Sequence, residues 1–234
     1  MSKKLSAGAG VDWIREGWPL FKKAPLMWIL LVVVAFVLSI MVSVVPFIGQ
    51  WVPTLFSGVL VAGFVTGCRA LEGGGELELE HLFAGFRSRF APLLMIGVLY
   101  LAGEIAILLV FGMFVGFSIV TGTLMGSQAG WIALLTNVTL PILAGFVVAL
   151  ALLVPLAAAA WFAPALVLLK DLSALDAMAR SFFACFGNFS AFVIYGLVMP
   201  GLMIVAMIPL GLGLLVWVPL AITSYWRSYR AIFD

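Results

Sequence analysis

The sequence predicts an all-α polytopic membrane protein, a single membrane domain over 1–234. About six transmembrane helices are expected, arranged as three hairpins, each preceded by an amphipathic helix lying on the cytoplasmic face. Three observations carry this prediction. Hydrophobic residues make up 65% of the chain and charged residues only 9%, whereas soluble domains carry roughly 25% charged residues. All 12 Lys and Arg fall within 3–23, 69–89, 170–180 and 227–230, and nine of the ten acids lie in the same segments or at Asp234. A short amphipathic pattern recurs three times, each time directly before a pair of apolar runs.

The apolar blocks are 24–68, 90–169 and 181–226, and only Glu104 interrupts them with a charge. A helix needs about 20 residues to cross the ~30 Å hydrocarbon layer. The first block therefore holds spans near 25–46 and 53–71, and the third holds spans near 187–208 and 211–228. In the middle block the polar, glycine-rich stretch TGTLMGSQAGW (121–131) is a turn signal. It leaves spans near 91–120 and 132–169, or four shorter crossings as the other division of that block. Pro141, Pro155 and Pro164 are expected to kink the longer span, because proline removes a backbone donor and clashes with the preceding turn. The positive-inside rule places the basic segments, and with them both termini, in the cytoplasm of a bacterial inner membrane. The first apolar run is too long for a signal-peptide core and has no small-residue cleavage site behind it, so no cleavable leader is expected.

The recurring pattern reads VDWIREGW (11–18), LEHLFAGF (79–86) and LDAMARSF (175–182). Each copy carries an aliphatic residue, an acid, an apolar residue, a small residue (Gly17, Gly85, Ser181) and an aromatic (Trp18, Phe86, Phe182). In the second and third copies the apolar positions fall at i, i+3, i+4 and i+7, which puts one stripe on a helix. Ser173 and Asp176 form a variant capping box before the third copy. In the first copy Pro19 is expected to end or bend the helix. Repeat units at 9–72, 77–169 and 173–230 follow. The apolar faces are expected to lie at the headgroup boundary, with Trp13, Trp18, Phe21, Lys22, Lys23, Phe86 and Phe182 as lipid-interface anchors.

Glu104 is the sole charge inside a predicted span and marks a candidate intramembrane polar site. Tyr100, one turn earlier, and Asn137, on the next span, are its candidate hydrogen-bond partners. An ionised acid at mid-membrane costs roughly 2.5–3.5 kcal/mol on insertion scales, so the group is expected to be protonated, bonded between helices, or open to a polar cavity. His81 is the sole histidine. With Glu78 and Glu80 it makes no face-matched metal set, and no imidazole is left to activate a nucleophile. The glycines at 73–75 lack the Lys-Ser/Thr of a phosphate loop. Neither metal nor cofactor is expected. Cys68 and Cys185 both sit beside cytoplasmic segments and are expected to be reduced thiols.

Three segments together, DWIREGWPLFKKAPLMWI, GCRALEGGGELELEHLFAGF and WFAPALVLLKDLSALDAMARSFFACFGN, resemble an uncharacterised family of proteobacterial inner-membrane proteins across nearly the whole chain. A more distant similarity runs to YciC-type proteins and to the membrane domain attached to some glycerophosphodiester phosphodiesterases. The resemblance implies six spans and an inner-membrane location, and it transfers no catalytic residue. The expected role is non-enzymatic: an accessory, scaffold or lipid-interacting subunit. Its partners would be membrane lipids and, beyond them, another membrane protein or a second copy, and not nucleic acid. The alternative is a small-solute or ion transporter or channel that uses Glu104.

Overall fold

A computed structural model describes residues 3–46, 49–125 and 131–234, apart from the side chains of 122–125 and 131–137. Every regular element among the described residues is helical. The helices are α1 (Ala9–Lys23), α2 (Pro25–Ser43), α3 (Val52–Glu72), α4 (Ala84–Arg87), α5 (Phe90–Met125), α6 (Trp131–Trp161), α7 (Ala163–Lys170), α8 (Ala174–Gly187), α9 (Phe189–Met207) and α10 (Leu214–Phe233), with a 3-10 turn at Leu79–Phe83 before α4. Among the described residues, five stretches are long and apolar enough to cross a membrane: Pro25–Ser43, Val52–Glu72, Phe90–Thr121, Val138–Lys170 and Phe189–Met207. They make the chain a polytopic all-α membrane protein. The helix at the sixth predicted span, α10, is more polar and largely enclosed, burying Thr223, Ser224, Trp226, Ser228 and Tyr229. A helix sheathed by other helices needs no apolar surface for lipid.

The first three helices show how local sequence sets the turns. Helix α1 runs through Pro19 and ends only at Lys23, not at the expected proline. It packs against α10 along this length. The break comes at Ala24 (φ −148°, ψ 62°), because Pro25 bars the preceding residue from helical geometry and then starts α2 itself. The predicted turn at 121–131 is helical to Met125 and again from Trp131; the remainder lies outside the described residues.

Helix α6 continues through Pro141 and Pro155, where kinks were expected, and breaks only at Phe162. Two causes meet there. The Ser181 hydroxyl donates to the Ala158 carbonyl at 2.6 Å and accepts from the Phe162 N–H at 2.9 Å. It thus occupies the place of an i→i−4 helical bond, a recognised origin of helix kinks. Pro164, in the first turn of α7, supplies no N–H and suits a helix start.

The three amphipathic segments pack in cyclic order. Helix α1 lies against α9 and α10, the 3-10 turn and α4 against α2 and α3, and α8 against α5, α6 and α7. Each segment therefore docks on the hairpin before its own, the first on the last. The small residue of each recurring pattern makes the contact. A Cβ on Gly17 would stand 2.8 Å from the Ser224 nitrogen, one on Gly85 would collide with the Val59 carbonyl, and Ser181 bonds Ala158 directly. Close backbone approach through small residues is how helices associate in lipid. Among the second helices of the hairpins, α3 packs on both α7 and α10.

Candidate functional site

The charged segments converge at one end of this bundle. Glu72, at the end of α3, accepts from Arg227 and Arg230 of α10 at 2.6 Å each and from the Trp226 indole at 3.0 Å. Arg230 also pairs with Asp234 at 2.5 Å, and Asp234 with Lys170 at 3.4 Å. Arg89, before α5, pairs with Asp171 after α7. Lys23 donates to the Leu71 carbonyl at 2.8 Å, satisfying an orphan acceptor at a helix C-terminus. The N-terminal segment is tied to the same end, with the Leu5 N–H on the Asn188 side chain at 2.7 Å and the Lys3 N–H on the Ile232 carbonyl at 2.8 Å. Arg69, Lys170, Trp226, Tyr229, Arg230 and Asp234 line a small polar cleft of about 210 Å3 there. Sequence analysis put these charges on one side but did not pair them; Glu72 is the hub it missed.

Glu104 is half-buried on α5, in a shallow apolar cleft of about 350 Å3 with Trp51, Phe111 and Phe146 among its walls. It makes no hydrogen bond or ion pair among the described residues. Tyr100, one turn earlier on α5, lines a second cleft and makes no hydrogen bond to Glu104. The Asn137 side chain lies outside the described residues. The polar contact that does join α5 to α6 is the Ser118 hydroxyl, which donates to the Val138 carbonyl at 2.7 Å and is fully buried. Its serine is unremarkable in the sequence.

The predicted lipid anchors divide. Trp13 is 1% exposed and Phe21 5%. Trp13 packs on Phe192 and Tyr195 of α9, with ring centroids 5.1 and 5.8 Å apart. These two rings are core residues rather than headgroup anchors, because the apolar face of α1 is covered by α9 and α10 instead of lipid. Trp18 and Phe86 remain 41% and 42% exposed, Phe182 is half-buried, and Lys22 is exposed. Lys23 is exposed but engaged with Leu71. Aromatic stacks run along the elbows into the following spans: Phe86 on Phe90 at 5.8 Å and Phe186 on Phe189 at 6.3 Å.

Two further clefts lie inside the bundle. An axial cleft of about 420 Å3 sits between α3, α5, α6 and α10 and is walled almost entirely by apolar groups. A lateral cleft of about 390 Å3 opens between α6 and α9 above α8. Ala157 and Trp161 line both. Cys185 of α8 lines the lateral cleft, and burial pushes its thiol up to about 12 although Ser181 opposes the shift. Both cysteines are free and buried. His81 accepts from the Glu78 N–H through Nδ1 at 3.0 Å, which closes a cap on the 3-10 turn.

A probable inner membrane protein of Burkholderia thailandensis is 32% identical to this chain over 203 residues, covering 83% of the chain and 73% of that relative. No family model matches, and no solved structure matches.

Proposed function

The chain belongs to the family of this inner membrane protein, and from that premise we propose that it is a non-enzymatic accessory or scaffold subunit that interacts with lipid, with both termini in the cytoplasm. The observation that carries the reading is the division of labour at the charged end. Ion pairs lock the second helices of the hairpins together there, while Trp18, Phe86 and the elbow phenylalanines stay exposed around the rim. Aromatic rings favour the headgroup level, and nearby Lys and Arg favour an anionic leaflet by about 1 kcal/mol each. The arrangement suits a rigid body that holds lipids or a partner at its edge. The distant similarity to YciC-type proteins and to phosphodiesterase membrane domains adds no activity to this reading.

The transporter alternative rests on Glu104 alone, and its apolar cleft without a cation supports it poorly, since intramembrane acids in transport sites commonly pair or face water. The test is isolation of the protein in mild detergent with identification of bound lipid and protein, beside reconstitution into liposomes. Under the scaffold reading, Glu104→Gln leaves the co-purifying set unchanged and the liposomes stay tight to protons and small solutes. A flux that Glu104→Gln abolishes would replace this reading with transport.

A further inference from the structure

The cyclic packing is broken at one place. Helix α5 closes tightly on α3: a Cβ on Gly97 would collide with the Leu55 backbone, and one on Gly58 would stand 2.8 Å from the Leu93 carbonyl. Helix α9 begins in the same way as α5. Phe189 corresponds to Phe90, and Gly196, seven residues on, corresponds to Gly97. Yet a Cβ on Gly196 would meet nothing within 4 Å, and α9 does not pack closely on α6 among the described residues. A glycine inside a helix costs about 1 kcal/mol relative to alanine, and here no helix backbone takes up the space. The gap is the lateral cleft, rimmed by Phe186 and Phe189 at the elbow; Ala157 and Trp161 stand between it and the axial cleft, and Trp161 closes its inner end by edge contacts with Phe192 and Tyr195.

We propose that this fissure is a binding site for an acyl chain of a membrane lipid, entering between α6 and α9 from the leaflet at the charged end. The lining is almost wholly apolar, and each cleft falls within the range of ~300–1,000 Å3 usual for small-ligand sites. The walls belong to predicted spans, where the apolar molecules at hand are lipid chains. A single acyl chain is slimmer than a helix, which is about 10 Å across with its side chains. An unbranched chain lies along the lateral cleft and ends against the Trp161 ring. Its headgroup would remain at the rim beside the elbow phenylalanines. This deepens the lipid-interacting reading by naming a site and a ligand class.

The test uses the full chain in nanodiscs of phosphatidylethanolamine and phosphatidylglycerol, with a small fraction of phosphatidylethanolamine carrying a diazirine at the end of one acyl chain. After irradiation, adducts on 154–161 and 189–196 are expected on the order of tenfold above those at Leu109 and Phe117, which are 67% and 62% exposed. Gly196→Leu has room for its side chain and removes the enrichment, leaving adducts elsewhere unchanged. Ala157→Leu, at the neck between the clefts, does the same if the first variant folds poorly. Adducts spread in proportion to exposure, enrichment that survives both substitutions, or crosslinks from these segments to a second copy would each overturn the proposal. If bound lipid still co-purifies when the fissure goes unlabelled, this site fails and the broader lipid reading stands.

Discussion

The Ser181 hydroxyl stands between Phe162 N–H and Ala158 carbonyl, the two groups that a continuous helix would join directly. Phe162 is buried and Ala158 half-buried, so removing the hydroxyl leaves the two groups to reclose or to go unpaired, and an unpaired buried group costs about 1–3 kcal/mol. Ser181→Ala is expected to lower stability within that range, read as a fall in the unfolding midpoint in detergent. Ser181→Val should cost more, since its methyls would press on the α6 backbone. Gly17 lacks that chemistry but occupies the corresponding place in its own segment. Gly17→Val pushes a side chain toward the Ser224 backbone and should destabilise by about 1–3 kcal/mol, the usual range for overpacking. Cys185 offers a third readout. Its folded-state pKa, near 12, lies above the unfolded value of about 8.5. The stability this contributes is complete below pH ~8.5 and is lost as pH rises toward 12. At pH 8 the native thiol should therefore react with a maleimide at least about tenfold more slowly than the unfolded one.

Each amphipathic segment was legible from its apolar spacing, but what its apolar face touches was not. Periodicity places Ile14, Leu82 and Met178 at matching positions; it does not distinguish lipid from a neighbouring helix. Trp13 and Phe21 show the difference, since they sit among aromatic and basic residues that suit a headgroup zone equally well. Helix α10 carries the complementary lesson. Its serines, threonine and arginines lower its hydropathy because it is enclosed, and sequence pattern alone read it as an ordinary span. The link between α3 and α10 is the most testable element contact. Glu72 and Arg227 are only 24% and 25% exposed, so Glu72→Gln leaves Arg227 without its carboxylate and Arg230 with Asp234 alone. A loss of about 1–3 kcal/mol is expected in the same unfolding measurement. Arg87 and Glu80 are about 70% exposed at 71% and 70%; Glu80→Gln should change stability by less than about 0.5 kcal/mol.

Across the whole molecule, ion pairs gather Glu72, Arg89, Lys170, Asp171, Arg227, Arg230 and Asp234 at one end, where Lys23 bonds the Leu71 carbonyl. If that end faces the cytoplasm, single cysteines introduced at the exposed positions Glu76 or Leu175 should resist a membrane-impermeant maleimide in intact cells and react after permeabilisation. Labelling from outside would invert the molecule and remove the anionic-leaflet argument with it. Five of the six expected span positions, the charged end and the three recurring segments were readable from residue order. Hydropathy and charge act on each stretch of chain through the surrounding solvent, so local composition suffices to sort water from lipid. The docking of each segment on the preceding hairpin, the Glu72 hub, the insertion of Ser181 into α6 and the open fissure beside Gly196 were decided only in the tertiary structure. They depend on which helices become neighbours, and contacts between residues far apart in the chain leave no periodic trace along it.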